Sequence, residues 1–271
     1  MGEFTPIKIS SPETREFWEI PVLFEDEHLM ALDKPSRLLT SPEREEPQRP
    51  SLMALLHRDI QRGAPWASHR QLTYLANAHR PDFDMSGILL LAKSKTTLMA
   101  LANLFSAHKV DLKCLALVWG VPGWEQAECD AKLAPHPHRP GVMRADIRAG
   151  KKALSTFRVL ERFRYHALVE CHQTTHRPHQ IRVHLKTLGF PLAGDSVYGG
   201  KPLLLSRMKP GYRFKADTPE KPLMGRAAVH AAGLRLVHPA SSKDLEVISP
   251  VPKDFTVALR YLRQYSSFEK S

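Results

Sequence analysis

The segment from His79 to Gly87 contains the side chains best suited to chemistry. It reads His-Arg-Pro-Asp-Phe-Asp-Met-Ser-Gly and leads directly into the apolar run 88–92. A short apolar run of this kind is typical of a buried strand, so Asp82 and Asp84 are predicted to lie in a loop at its mouth. A carboxylate there can act as a base or a nucleophile, or it can simply accept backbone hydrogen bonds in a turn. The segment alone separates neither these alternatives nor the two aspartates.

A second charged segment runs from His179 to Gly189. Ile181 and Leu185 belong to an apolar stripe at helical spacing, and Gly189 is a typical helix terminator. Arg182 follows His179 at a spacing that places both on one basic face of this helix. The face is either a ligand contact or only a solvated helix surface.

Histidines in and around these segments raise the alternative of a metal-dependent hydrolase. The two candidate ligand sets are His79, Asp82 and Asp84, and His176, His179 and His184. The second set has at most two histidines on one helical face, and carboxylates are scarce around it. We therefore predict no metal site.

The elements that must position these residues are short strands with scattered helices. Strands are predicted at 20–24, 28–33, 88–92, 113–118, 156–159, 166–171, 229–231, 234–237 and 245–248. Helices are predicted to begin at Ser51, Ser94, about His179 and near Asp254. The order shows no regular alternation of strands and helices, which indicates an α+β fold with a mainly antiparallel mixed sheet flanked by helices and loops.

The prediction for domain organisation is an N-terminal extension at 1–20 and a single catalytic domain at 21–271. Two segments are predicted to be loops. Residues 40–50 contain three prolines among charged residues and indicate a solvated loop, and 134–152 are predicted to form a mobile basic loop.

Composition limits the class of protein. The 271 residues include 39 Lys and Arg against 28 Asp and Glu, a formal net charge of +11. This excess favours a polyanionic partner such as RNA, although it can also serve only solubility. The three cysteines form no CxxC pair, and no stretch has signal-peptide or membrane-helix character. We expect a monomer in the cytoplasm that does not insert into a membrane.

Several motifs, taken in order, resemble those of the RluA-type RNA pseudouridine synthases. Residues 79–88 are similar to the HRLDxxTSG signature of that family. The other matches are 22–35 with the opening hairpin and its NKP-like loop, 175–185 with TGRTHQIRVHL, 194–199 with GDxxYG, and 230–231 and 238–239 with the late LHA and HP positions.

The resemblance implies an α+β catalytic domain with an active-site cleft across the sheet. Its reaction isomerises uridine to pseudouridine in RNA by breaking the N-glycosidic bond and rejoining the ring through carbon 5. By the motif match, Asp82 is the nucleophile or base and Arg182 is its ionic partner, which keeps the carboxylate charged. Since the reaction only moves one bond, no cofactor is expected.

One departure from the family lies at Cys114, where the KxYxALV strand normally carries tyrosine. A thiol cannot stack on a base as a ring does, but with an ordinary pKa of about 8.5 it can accept a proton. Cys114 is therefore the third candidate catalytic residue. The departure also leaves open a catalytically impaired, synthase-like RNA-binding protein.

The predicted substrate is structured ribosomal or transfer RNA, from which the target uridine is flipped into the pocket. Basic side chains would hold the flanking phosphates, with Lys34, Arg80, Lys151 and Lys152 as candidates. The predicted substrate-binding residues are Lys34, His79, Arg80, His179, Gln180 and Leu185.

Overall fold

The computed structural model describes residues 4–44, 46–213 and 218–268. The first residues of the predicted N-terminal extension, 1–3, and the last residues of the predicted catalytic domain, 269–271, lie outside the described residues. The strands are β1 (Ile7–Ser10), β2 (Phe17–Ile20), β3 (Val22–Glu25), β4 (Leu29–Lys34), β5 (Ala76–Asn77), β6 (Ser86–Ala92), β7 (Asp111–Trp119), β8 (Gln126–Cys129), β9 (Leu133–Pro135), β10 (Met143–Ala145), β11 (Ser155–Arg162), β12 (His166–Gln173), β13 (Val229–Val237) and β14 (Asp244–Ile248). The helices are α1 (Leu52–Gln61), α2 (Pro65–Ser68), α3 (Lys95–Ser106), α4 (Gln180–Thr187) and α5 (Lys253–Tyr265), with a short 3-10 turn at Leu205–Arg207.

These elements confirm the α+β class with a mainly antiparallel sheet. The chain forms two compact units. The first unit is Met1–Leu112 with Ala231–Pro250, and the second unit is Lys113–His230 with Val251–Ser271. None of the helices in the described ranges is long and apolar enough to cross a membrane.

The sheet of the first unit has the strand order β3, β4, β6, β13, with β5 paired to β6 and β14 to β13. Strands β3 and β4 pair antiparallel, which confirms the predicted opening hairpin. Strand β6 is buried along its whole length and pairs antiparallel with β4, from Leu29 opposite Ala92 to Lys34 opposite Gly87. The predicted apolar strand after Gly87 is thus a central strand of this unit.

The predicted N-terminal extension contains a hairpin that the sequence did not reveal. Strands β1 and β2 pair antiparallel, from Ile7 opposite Ile20 to Ser10 opposite Phe17. Ile7, Ile9 and Ile20 are buried in the same apolar cluster as the inner face of α1. Strands of four residues are too short for alternation to stand out. Whether 1–20 is separable from the catalytic domain stays a prediction.

Local capping signals worked for one of the two predicted helices in the first unit. Ser94 caps α3, because its hydroxyl accepts a hydrogen bond from the backbone of Thr97 at 3.1 Å. Ser51 stands at the same position before α1 but makes no cap hydrogen bond. The expected start of α1 is therefore right, while the expected capping bond is not formed.

The sheet of the second unit has the order β7, β12, β11, β8. Its α5 buries the predicted stripe Phe255, Ala258, Leu259 and Leu262. A finding that differs from expectation is the basic segment 134–152, which is not simply a loop. Strands β9 and β10, which lie largely within this segment, pair antiparallel, with Pro135 opposite Met143. Three-residue strands flanked by prolines carry no period that a sequence pattern could show.

Candidate active site

The loop that carries Asp82 is held on both sides by backbone hydrogen bonds in the first unit. Before Asp82, the Thr40 hydroxyl donates to the carbonyl of Pro81 at 2.9 Å. After it, the backbone N–H of Arg37 donates to the carbonyl of Phe83 at 2.7 Å. Because both neighbours are fixed, the half-buried Asp82 starts from a defined backbone position, as a reacting group requires.

The same loop is fixed where it enters β6. Met85 donates from its backbone to the carbonyl of Asp82 at 3.1 Å, which closes a turn. Gly87 has a φ of +104°, and a Cβ there would lie 2.2 Å from the carbonyl oxygen of Ala231. Only glycine fits such a close approach of two backbones. The position of the Asp82 loop at the start of β6 therefore depends on Gly87.

Lys34 stabilises this loop indirectly, through the turn that contains Arg37. Its side chain is fully buried, and its ammonium donates to the carbonyls of Pro35 at 2.8 Å and Leu38 at 2.7 Å. These bonds offset the cost of burying a charge. They hold the turn that contains Arg37, which in turn holds Phe83. The contact of Lys34 with an RNA phosphate stays a prediction, and its burial favours a positioning role.

His79 and Arg80 begin the loop and face different neighbours. The His79 ring accepts a hydrogen bond through Nε2 from the backbone of Leu90 at 3.0 Å, and it stacks on Phe105 with ring centroids 5.4 Å apart. Arg80 is exposed, and its Nη2 donates to the Glu43 carboxylate at 2.9 Å. The cation two residues before Asp82 is thus directed toward the proline-rich segment.

In the second unit, Arg182 lies on α4 with only 5% of its surface exposed. It forms a bidentate ion pair with Asp195, in which Nε donates to Oδ2 at 2.7 Å and Nη2 donates to Oδ1 at 2.9 Å. Its guanidinium carbon also lies 4.9 Å from the ring centroid of Tyr198. The fork fixes the plane of the guanidinium, since both prongs are charge-assisted. Asp195 and Tyr198 are absent from the predicted site, although the GDxxYG match contains both.

Tyr198 also links the start of α4 to the hairpin formed by β9 and β10. Its hydroxyl accepts from the backbone of Met143 at 2.9 Å and lies 2.7 Å from Nδ1 of His179. His179 precedes the helix in a left-handed conformation, with a φ of +55°. Such a conformation is uncommon outside glycine and persists only where the surroundings determine it. His179 is therefore held firmly, and its contact with substrate stays a prediction.

Gln180 and Leu185 are buried members of α4. The Gln180 amide accepts from Thr175 at 2.8 Å and donates to Leu154 at 2.9 Å and to Ser155 at 2.8 Å. A buried amide so fully bonded fixes the helix against the start of β11. The predicted substrate contacts of both residues stay predictions.

Cys114 is fully buried on β7 in the second unit. Burial raises the pKa of the neighbouring Cys171 thiol well above its usual value, and a negative charge on Cys114 would raise it further. The two buried thiols therefore lie close enough for their charges to interact. A role of Cys114 in proton transfer stays a prediction. Across the described ranges, no group of three histidine, cysteine or carboxylate side chains is arranged to hold a metal ion.

The α+β fold is that of solved pseudouridine synthase structures. Human RNA Pseudouridylate Synthase Domain Containing 4 matches with a TM-score of 0.65 and 22% identity, covering 89% of this chain and 92% of that one. Human RNA Pseudouridylate Synthase Domain Containing 1 matches with a TM-score of 0.61 and 22% identity, covering 86% and 84%. At this identity the likeness shows the fold.

The family model described as RNA pseudouridylate synthase matches residues 28–187, which include Asp82, Cys114 and Arg182. The chain therefore belongs to the RNA pseudouridylate synthase family and isomerises uridine in RNA, which confirms the family predicted from the motifs.

Curated relatives agree with this family. Ribosomal large subunit pseudouridine synthase D of Xanthomonas campestris pv. campestris is 34% identical over 91% of this chain and 70% of its own length. The synthase D of Pseudomonas aeruginosa is 36% identical over 91% and 72%, and the synthase C of Vibrio cholerae is 34% identical over 90% and 69%.

Proposed function

We propose that this enzyme converts specific uridines of structured RNA, ribosomal or transfer RNA, with Asp82 as nucleophile or base and Arg182 as its ionic partner. The observation that carries the assignment to Asp82 is the clamp on its loop, with Thr40 holding Pro81 and Arg37 holding Phe83. The names of the relatives, ribosomal large subunit pseudouridine synthases, favour ribosomal RNA as the substrate.

The reaction requires one carboxylate that acts on the target nucleoside. Ionised Asp82 attacks the nucleoside or removes a proton, and the bond between N1 of the base and C1′ of the ribose breaks. The base then turns, a bond forms between C5 and C1′, the proton on C5 leaves and N1 gains a proton. Atoms and electrons balance without any further reactant. A guanidinium next to the carboxylate keeps it charged after RNA has excluded water.

Arg182 suits this role because its own position is already fixed. Asp195 engages Nε and Nη2 of the guanidinium, so the orientation of the third nitrogen, Nη1, is determined as well. A cation held in place before the reaction costs no reorganisation when it acts. We infer that Asp195 is a positioning residue for Arg182.

A second candidate function is a catalytically impaired synthase that binds or remodels RNA. The observation that favours it is Cys114, a fully buried thiol at the position where the family has tyrosine. It leaves no aromatic ring there to lie against the base. The two candidates differ in whether the protein makes pseudouridine.

Replacing Asp82 tests the assignment. We expect Asp82→Ala and Asp82→Asn to lower the rate of pseudouridine formation by about 10³-fold or more, because no other group replaces the carboxylate. The measurement is tritium release from C5-labelled large-subunit ribosomal RNA, with the RNA dissociation constant determined alongside.

The matched control is Asp84→Asn in the same loop, which removes the same charge at a variable position of the family signature. It should keep most of the activity. Full pseudouridine formation by Asp82→Asn would contradict the proposal. The second candidate would be favoured if wild-type protein binds the ribosomal RNA but forms no pseudouridine in either ribosomal or transfer RNA.

A further inference from the structure

Two carboxylates of the proline-rich segment 40–50, those of Glu43 and Glu46, form ion pairs in the described structure and are not used by the reaction. Glu43 accepts the hydrogen bond of Arg80, and Glu46 forms an ion pair with Arg49. Both pairs are open to solvent, with side-chain exposures of 47% and 40% in the first and 39% and 43% in the second. Exposed ion pairs are worth only about 0.2–1 kcal/mol. An incoming anion can therefore replace either carboxylate at small cost.

The two arginines flank the reacting residue. Arg80 precedes Asp82 by two positions in the loop. Arg49 places its guanidinium carbon 4.3 Å from the centroid of the Phe83 ring, and Phe83 directly follows Asp82. One cation is thus attached to each side of the loop that carries the aspartate. A nucleotide in the site has a phosphate on each side.

We propose that Glu43 and Glu46 occupy the binding positions of two RNA phosphates, and that these phosphates replace both carboxylates on Arg80 and Arg49 when the substrate binds. The inference rests on the proposed function, because it takes RNA at Asp82 as the ligand. A guanidinium binds carboxylate and phosphate oxygens through the same planar set of N–H donors, so one anion can stand in for the other.

This exchange explains why a loop beside an RNA site contains acidic residues at all. In the free protein the carboxylates hold both side chains in place, near the loop. They also compete with RNA, so part of each phosphate interaction is offset by the ion pair that it replaces. Removing a carboxylate should therefore strengthen RNA binding through its own arginine.

The test compares two glutamate variants of equal charge. Glu43→Gln keeps the size of the side chain and removes its charge next to Arg80. Glu246→Gln does the same on β14 of the first unit, where Glu246 pairs with Arg235 and is 45% exposed. The probe is an unmodified transcript of large-subunit ribosomal RNA, and its dissociation constant is measured at low and high salt.

We expect Glu43→Gln to bind the transcript about twofold to fivefold more tightly than wild type at low salt, which is the loss of one exposed ion pair expressed as affinity. The gain should shrink as salt rises, because screening weakens the competing ion pair. Glu46→Gln should act in the same direction through Arg49. Glu246→Gln should change the affinity less than either.

The arginine must be necessary for the effect. In protein that carries Arg80→Ala, adding Glu43→Gln should no longer tighten binding. Equal tightening by Glu43→Gln and Glu246→Gln would reduce the effect to net charge and overturn the inference. Weaker binding by Glu43→Gln would also overturn it, since the carboxylate would then serve the loop and not compete with RNA.

Measuring pseudouridine formation in the same samples separates the two proposals. Asp82-dependent product without tightening by Glu43→Gln removes the phosphate exchange and keeps the proposed function. Tightening without any product supports the exchange and removes the proposed chemistry. Wild-type protein that does not bind the transcript overturns both.

Discussion

At the scale of single residues, Arg182 shows how burial is made tolerable for a charge. A guanidinium taken out of water is costly unless it is paired and hydrogen-bonded. Asp195 supplies two prongs, and the ring of Tyr198 supplies a face for the cation. The aspartate and tyrosine of the GDxxYG match therefore have a physical role, because both hold the guanidinium of Arg182 in place.

His166 is the opposite case, a buried polar ring without compensation. Neither ring nitrogen has a hydrogen-bond partner among the described residues, and the ring packs edge-on against Trp119 at a centroid distance of 4.8 Å. Burial lowers the pKa of His166 to about 4. The native state therefore holds His166 neutral where the unfolded chain, with an ordinary pKa of about 6.5, takes up a proton.

We expect the free energy of unfolding to fall as the pH drops from about 6.5 toward 4, by about 3 kcal/mol from this residue. The sign follows from the lowered pKa: above pH 6.5 neither state is protonated at His166, and below it the unfolded state gains protons first. Urea unfolding at pH 7 and pH 5 measures the loss.

The matched variant is His166→Phe, which keeps an aromatic ring against Trp119. Its stability should lose this part of the pH dependence and be higher than that of wild type at pH 5. An unchanged difference between pH 7 and pH 5 in His166→Phe would show that other groups cause the acid sensitivity.

At the scale of elements, the junction between the Asp82 loop and β6 depends on a backbone without a side chain. We expect Gly87→Ala to lower the free energy of unfolding by more than about 3 kcal/mol, or to prevent folding, because its Cβ would lie 2.2 Å from the carbonyl of Ala231. Any folded fraction should also lose activity, since the loop must shift. Thermal unfolding and pseudouridine assays measure the two effects.

Gly189→Ala separates the clash from backbone strain. Gly189 has a φ of +90°, but a Cβ there would meet nothing within 4 Å. Its replacement should cost only the strain of a left-handed alanine, about 1 kcal/mol. Similar losses in both variants would argue that strain alone accounts for the effect at Gly87.

Elements with a local signal were predictable from the sequence. The hairpin β3–β4, strand β6, and helices α3 and α5 follow from apolar periodicity and turn residues. The hairpins β1–β2 and β9–β10 were missed because strands of three or four residues show no period. The buried face of the first hairpin packs against residues far away in the chain, in the cluster that contains α1.

The candidate site was predictable as a set of motifs and not as a geometry. Asp82 and Arg182 followed from the family resemblance. The burial of Lys34 could not be foreseen, because a lysine next to a proline in sequence indicates a surface turn. Nor could the fork between Arg182 and Asp195, since it joins residues 13 positions apart through side-chain orientation alone.

At the scale of the whole molecule, the 39 lysines and arginines overstate the number of cations that RNA can reach. Arg182 and Arg226 are buried in ion pairs with Asp195 and Asp254. Exposed arginines such as Arg263 are also engaged, in that case by Glu161. RNA binding must therefore depend on where the remaining cations lie, and not on their number alone.

The three buried cysteines can report the order in which parts of the molecule unfold. Cys114, Cys129 and Cys171 are buried and form no disulfide, and burial raises the pKa of Cys129 and Cys171. Thiol reagents attack the exposed thiolate, so each cysteine can be labelled only while its surroundings are open. Native protein should react with maleimide at least about 100-fold more slowly than protein in urea. Mass spectrometry of the labelled peptides would show which strand opens first, and rapid labelling of all three in native buffer would contradict their burial.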